Sequence, residues 1–413
     1  MASTAIAVGS ALTAGGYLLR RRISKNWITP SSIPPKQFTK DQTIVITGGN
    51  TGLGYEVAKY LSSHGAKVIL ACRNLETGQN AALQIRECTS NNDVECMKLD
   101  LSSLESVRTF ATELKTRNEN IYALICNAGV WQPDVDDGNG NNNTNTKDGF
   151  EIHFGVNHLG HFALIQELLP HMKVCTDDCR IIIVSSSLCK SGKIDLDKRD
   201  FIYNQRVIEP GEKKSFAPTG YCDSKLMNML TCRELSWKLD GSNITTYAVS
   251  PGFCSSKLGR NVQMPIYKKA LMTPLMRLFQ RSSQQGALNI IYTVTEDVEK
   301  LESGAMYSDG EIWEEGETMI ESLDDEQKGL WELSEELIKE VAPKKDDDEQ
   351  STIPPEVAEL KITPKKDRKR NARSHLLCKV EGCTTQGRSE KDDMCRRHFS
   401  MFEKAGRDTK VEE

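Results

Sequence analysis

Residues 42–64 narrow the folds open to this chain more than any other stretch. Gln42-Thr43-Ile44-Val45-Ile46-Thr47 is β-branched and apolar, the composition of a short buried strand. Gly48-Gly49-Asn50-Thr51-Gly52-Leu53-Gly54 follows at once. Residues 55–64 then show helical spacing, with apolar Val57, Ala58 and Leu61. Strand, glycine turn and helix are the context of a dinucleotide site. Glycines let the backbone turn tightly and approach a pyrophosphate, whose charge sits at the helix N-terminus. The spacing is Gly-x3-Gly-x-Gly (Gly48, Gly52, Gly54), a variant of the commoner G-x-G-x-x-G. The fold expected is α/β, a doubly wound parallel sheet of the Rossmann-like type, with ligands at the carboxyl ends of its strands.

Three more strands are expected. Lys67-Val68-Ile69-Leu70-Ala71-Cys72 runs into Arg73-Asn74, Cys96-Met97-Lys98-Leu99 closes on Asp100, and Leu124-Ile125-Cys126 ends in Asn127-Ala128-Gly129. An NAD site carries an acidic residue at the end of the second strand to hold the ribose hydroxyls. Arg73 stands there instead. A guanidinium suits a 2′-phosphate through charge-assisted hydrogen bonds, so NADP(H) is the expected cofactor.

Tyr221-Cys222-Asp223-Ser224-Lys225 places a phenol and an ammonium four residues apart, on one face of a helix. A free phenol titrates near ~10 and exchanges protons poorly at neutral pH. A neighbouring ammonium favours the phenolate, so a lowered pKa is expected, ready for proton transfer to a carbonyl or alcohol oxygen. Such spacing is common on ordinary helices, and it gains weight here from the glycine turn in the same chain.

Read in order, eight segments resemble the short-chain dehydrogenase/reductase family, and within it the retinol dehydrogenase-like branch. They are the 47–54 glycine run, Ala71-Cys72-Arg73-Asn74, Leu99-Asp100-Leu101, Cys126-Asn127-Ala128-Gly129, Val156-Asn157-His158-Leu159-Gly160-His161-Phe162, Val184-Ser185-Ser186-Ser187, the 221–225 run and Ser250-Pro251-Gly252. The likeness covers residues 38–340. It implies Tyr221 as general acid/base, Lys225 as the group that holds the nicotinamide ribose and depresses the phenol, and Ser186, rather than Ser185, as donor to the substrate oxygen. Asn157 would fix a water relaying protons toward Lys225. Gly48, Asn50, Thr51, Gly52, Leu53, Gly54, Arg73, Asp100, Leu101, Asn127, Ala128, Gly129, Tyr221, Lys225, Pro251, Gly252 and Ser256 would line the cofactor. The implied activity interconverts a lipophilic aldehyde or ketone and its alcohol, with retinal/retinol or a steroid as candidates. Ser250 departs from the His found before the proline in much of the branch. Two rivals stand beside this reading. A protochlorophyllide reductase-like enzyme shares the Tyr-x-Asp-Ser-Lys form, which Asp223 matches. A non-catalytic NADP-binding scaffold would use the flanking segments to recruit partners.

The chain has 413 residues, enough for one large core and appendages. Its net charge of −5 gives no electrostatic footprint for nucleic acid. Thirteen scattered cysteines form no disulfide framework and fit a reducing compartment. Residues 5–19 are apolar and precede Arg20-Arg21-Arg22. That is short of the ~20 residues of a spanning helix. It reads as a membrane anchor of endoplasmic reticulum type, with the catalytic domain in the cytosol, or as a mitochondrial or plastid targeting segment. A run rich in Asn, Asp and Gly over residues 134–146 reads as a surface loop. Residues 264–279 are basic and amphipathic, suited to a membrane surface, to covering an apolar substrate cleft, or simply to packing as a helix on the sheet. The expected division is a 1–37 anchor, a 38–342 catalytic domain, a 343–374 charged linker and a 375–413 tail. In that tail Cys378-x4-Cys383-x11-Cys395-x2-His398 has the spacing of a Cys3His zinc site, and Zn2+ would supply its folding energy.

Overall fold

The computed structural model describes Arg20 and residues 24–132, 145–174, 178–205, 215, 217–255, 279–341, 376–377 and 386–387. Residues 5–19, most of the 134–146 run, Ser256, residues 264–278 and the four proposed zinc ligands lie outside the described residues. Among the described residues no helix is long and apolar enough to cross a membrane, and no cluster of side chains could hold a metal.

The expected strand and helix at the glycine turn are β1 (Thr43–Thr47) and α1 (Gly52–Ser63). β2 is Lys67–Cys72 and β4 is Ile121–Cys126. β3 covers Val94–Lys98, starting and stopping earlier than the apolar run at 96–100. The reason is local: Ser103 N–H bonds the Asp100 carbonyl at 3.0 Å, closing a turn that takes Asp100 out of the ladder. α2 (Leu75–Thr89) is capped by Asn74, whose side chain accepts from Thr77 N–H at 2.9 Å. Such a cap contributes about 1 kcal/mol. α3 (Leu104–Thr116) is capped in the same way by Ser103. A buried π-helix, Phe154–Leu159, leads into α4 (Gly160–Met172). β5 (Cys179–Val184), α5 (Thr219–Lys238), β6 (Ile244–Val249), α6 (Ser283–Thr295), β7 (Met306–Ser308), β8 (Glu311–Ile312), α7 (Glu314–Ile320) and α8 (Asp324–Glu340) complete the order.

The eight strands form one sheet in the order β3-β2-β1-β4-β5-β6-β7-β8, parallel except for β8. Ile44, Ile46, Val68, Leu70 and Ile125 are buried in one core with Val57 and Leu61 of α1 and Ile290, Ile291 and Val294 of α6. Each such side chain contributes about 1.5–3 kcal/mol by leaving water. The strand order reverses between β1 and β4, which opens a crevice at their carboxyl ends.

Residues divide into two compact units, Met1–Glu335 and Glu336–Glu413. In the second, the described residues are the end of α8 and an antiparallel pair, β9 (Leu376–Leu377) with β10 (Gln386–Gly387).

Candidate active site

Every sequence-selected residue within the described chain, apart from Asn157, lies at or just beyond the carboxyl end of a strand or on α5. The glycine turn leaves β1, Arg73 follows β2, Asp100 and Leu101 follow β3, and Asn127-Ala128-Gly129 follows β4. Ser185 and Ser186 follow β5, and Pro251-Gly252 follows β6.

At the turn, Gly48 and Gly52 have φ of +65° and +61°, which a side chain would strain. A Cβ on Gly54 would meet Asn127 Nδ2 at 2.6 Å and the Gly48 carbonyl at 2.7 Å. Thr51 precedes α1 without a side-chain cap bond. The N–H groups of that helix's first turn therefore receive no acceptor from their cap, and they carry the positive end of the helix dipole. Asn50 is tied to Thr77 at 3.0 Å, and Arg73 is exposed. Lys98, not selected from the sequence, donates to the Arg73 carbonyl and adds a second cation there. Asp100 accepts from Ser102 Oγ at 2.7 Å and pairs with Lys147 at 2.9 Å. Burial alone would raise its carboxyl pKa, but these bonds outweigh burial and hold it below the usual range.

One hydrogen-bonded chain runs from the turn to α5. Thr47 Oγ1 accepts from the Asn127 and Ala128 N–H groups, each at 2.9 Å, and lies 2.9 Å from His161 Nε2. His161 Nδ1 faces the Asn157 carbonyl at 3.1 Å, so Nδ1 carries the proton and Nε2 accepts from Thr47. Burial holds His161 neutral, with a pKa of about 4. Asn157 Nδ2 donates to Ser224 Oγ at 3.0 Å and to the Val130 carbonyl at 3.2 Å, and Oδ1 accepts from Val130 N–H at 2.7 Å. Both amide protons are thus used within the protein, so a water on this side chain can only donate to it. Ser224 stands between Tyr221 and Lys225 on α5.

The phenol and ammonium share a face as expected. Lys225 Nζ lies 5.4 Å from the Tyr221 ring centroid and donates to the Val184 carbonyl at 2.9 Å. Tyr221 is 6% exposed and Lys225 4%. Here the expected charge effect gives way to burial. Desolvation raises the Tyr221 phenol well above its ordinary value, against the pull of the Ser186 hydroxyl within hydrogen-bond reach. The same burial pushes Lys225 down to about 8. Ser185 donates its hydroxyl to the Lys225 carbonyl at 2.7 Å, which leaves Ser186 as the serine facing the phenol. Trp131 lies against Tyr221 with ring centroids 4.6 Å apart, and Leu188, Ala217 and Cys222 complete an apolar patch. Pro251 and Gly252 precede Cys254, which bridges to Arg281; Arg281 forks onto Asp309 at 2.6 and 2.7 Å.

Sequence reasoning missed Thr47 and His161 as the joint between the two ends, and it missed Arg281. Thr47 carried a faint signal, a hydroxyl at the last strand position before the turn. His161 stood four residues after Asn157, the spacing that puts its ring on the Asn157 carbonyl.

Residues 42–196 match the family model described as short chain dehydrogenase. Human retinol dehydrogenase 11 is 37% identical over 299 residues, covering 72% of this chain and 86% of that protein. Human retinol dehydrogenase 12 is 39% identical over 269 residues, covering 65% and 78%. Among solved structures, an uncharacterized protein from Mycobacterium paratuberculosis is 30% identical, with a TM-score of 0.53 over 76% of this chain and 98% of that one. Identity of this order, sustained along most of each relative's length, means that the chain belongs to the short-chain dehydrogenase/reductase family and sits beside its retinol dehydrogenases.

Proposed function

We propose that this chain is an NADP(H)-dependent oxidoreductase that interconverts a lipophilic aldehyde or ketone and its alcohol. The observation that carries the proposal is the hydrogen-bonded path Thr47–His161–Asn157–Ser224, which ties the glycine turn to the helix bearing Tyr221 and Lys225. The residues present fit the cofactor. Gly48, Gly52, Gly54 and the uncapped start of α1 suit a pyrophosphate, Arg73 and Lys98 a 2′-phosphate, and Asn127 through Gly129 with Pro251-Gly252 the remaining length. When bound, the nicotinamide gives or takes the hydride.

The rest falls to the protein. Ser186 donates a hydrogen bond to the substrate oxygen and strengthens it as charge grows there. Tyr221 gives that oxygen its proton in reduction and takes one in oxidation. Burial keeps the phenol protonated at neutral pH, the form that gives its proton to the substrate oxygen in reduction. Lys225, with a pKa of about 8, exchanges protons near neutral pH and can return one to the phenol. Asn157 clamps Val130 against α5 and so fixes where the phenol stands. Trp131, Leu188 and Ala217 offer an apolar wall, and the relatives' names point the same way, toward retinal/retinol-like substrates. The apolar, arginine-flanked N-terminus supports membrane association with the catalytic domain facing the cytosol. Asp223, shared with the protochlorophyllide reductase-like form, is accounted for structurally. It is 2% exposed and accepts from Lys193 N–H at 2.8 Å.

The test is turnover of NADPH with a panel of lipophilic aldehydes and ketones, for the native protein and for Tyr221→Phe. The native protein should turn over. The variant should lose at least about a thousand-fold while binding NADPH within about two-fold. Full activity in the variant removes Tyr221 from the chemistry, and tight NADPH binding without any turnover favours the scaffold.

A further inference from the structure

Directly behind Tyr221 lies an ionisable pair that the proposed chemistry does not use. Glu151 and His153 are 2% and 0% exposed. His153 Nδ1 is 2.7 Å from Glu151 Oε1, and Glu151 Oε2 accepts from Phe154 N–H at 2.7 Å. Gln132 N–H donates to His153 Nε2 at 3.0 Å. A backbone N–H only donates, so Nε2 is the acceptor, Nδ1 carries the proton and the carboxylate receives it. Every polar atom of the pair therefore has one assigned role. Burying a carboxylate is costly unless each oxygen is bonded, and here both are.

The pair touches both aromatic walls. Through Gln132 it holds the backbone next to Trp131, whose ring lies 4.6 Å from that of Tyr221. The His153 ring stands edge-on to Tyr221 at 6.3 Å and 83°. Gly220, the residue before Tyr221, leaves no room between them: a Cβ there would lie 2.9 Å from His153 Nδ1 and 3.1 Å from Glu151 Oε1. We infer that Glu151 and His153 are positioning residues that preset Trp131 and Tyr221 from behind, and that Trp131 is a specificity residue selecting extended apolar carbonyl substrates. The inference rests on the carbonyl–alcohol reading given above.

Glu151→Gln tests it with little change of shape. With the amide oxygen toward His153, the NH2 faces Phe154 N–H, donor against donor. With the amide reversed, His153 must accept at Nδ1 and protonate Nε2, which then opposes Gln132 N–H. Either way one buried N–H loses its acceptor. Expected with all-trans-retinal and decanal as probes is a KM for carbonyl raised about ten-fold, a smaller change in kcat, and a Kd for NADPH within about two-fold of native. Trp131→Ala, at a half-buried position, should raise the KM for retinal and bring the retinal-to-decanal ratio of kcat/KM toward one. A merely structural pair would lower thermal stability and leave the KM of the folded enzyme alone; that result, or an unchanged substrate ratio in Trp131→Ala, overturns the inference. Nitrogen-15 histidine spectra of the native protein give a readout apart from turnover. His153 should hold its proton on Nδ1, and a proton on Nε2 also overturns the inference. A native protein that reduces no carbonyl defeats the functional reading instead, whatever tautomer the spectra report.

Discussion

On the proposed reading, what would meet a ligand at the glycine turn is backbone and two exposed cations, Arg73 and Lys98; at α5, it would be a phenol and an ammonium with 6% and 4% of their surfaces exposed. The first end is made by a few consecutive residues and works through geometry, because glycine lets main chain approach. The second is assembled from β5, the π-helix and α5, and works through desolvation. Burial raises the Tyr221 phenol and lowers Lys225, so it disfavours the charged form of each. Binding strength should therefore reside mainly at the turn and chemistry mainly at α5, with the Thr47–His161–Asn157–Ser224 path holding the two in register.

Lys225→Met strikes that division hardest. Turnover should fall at least about a thousand-fold. Stability at pH 7 should nevertheless hold or rise. A base whose folded pKa is depressed carries its burial cost wherever it stays protonated in the fold, that is below about 8, and sheds it as pH climbs toward the unfolded value. Each unit of displacement corresponds to about 1.4 kcal/mol. The Val184 carbonyl keeps a second donor, Asn228 Nδ2 at 3.2 Å. Urea unfolding at pH 7 and pH 10 measures this: the variant's advantage should shrink at the higher pH, and a lower midpoint at pH 7 contradicts the account.

Gly54→Ala reverses the emphasis. Its Cβ would press on backbone and on Asn127 rather than on a flexible side-chain end. A strain of about 1–3 kcal/mol predicts roughly a 5- to 150-fold loss of NADPH affinity, read by fluorescence titration, with kcat at saturating cofactor within about three-fold. A kcat that collapses with the affinity would mean the two ends are not separable. Arg73→Ala is milder, since the guanidinium is solvated: about ten-fold weaker NADPH and an unchanged Kd for NADH are expected. Equal losses for the two cofactors would remove Arg73 from 2′-phosphate recognition.

The same contrast explains what could be read from the chain alone. β1, β2, α1 and the turn were legible because period, glycine and β-branching are local signals, and Lys67–Cys72 was located to the residue. The pairing of Tyr221 with Lys225 was legible because four residues make one helical turn. The direction of the phenol's pKa was not. It depends on how completely Trp131, Leu188 and Ala217 cover the ring, and nothing in residues 221–225 encodes that. β3 ended early because a hydrogen bond from Ser103 competes with the ladder, and apolar alternation cannot register such a bond. Glu151 and His153 are two residues apart in an unremarkable stretch, and their partners come from Gln132, Phe154 and Gly220.

The smallest effect expected concerns acid, and it separates two histidines three residues apart. Burial holds His158 at about 3 and His161 at about 4. His158 Nε2 lies 2.9 Å from Ser334 Oγ, whose own proton goes to the Leu330 carbonyl, so His158 is the donor there. His161 accepts from Thr47 at the joint of the site. At pH 7 both are neutral in the fold and about three-quarters neutral in the unfolded chain, so they contribute little to pH dependence there. As pH falls below ~6.5 the unfolded chain takes up protons that the fold refuses, so stability declines by about 1.4 kcal/mol per pH unit for each histidine until the folded values are reached. In His158→Gln the side-chain amide can still donate to Ser334, and one of the two protons leaves the balance. Melting temperature followed from pH 7 to pH 5 should then fall about half as steeply from these two sites as in the native protein, with turnover at pH 7 little altered. Parallel curves would place the acid sensitivity elsewhere. A loss of activity at pH 7 would instead extend the site's joint beyond His161, into the packing of His158 against α8.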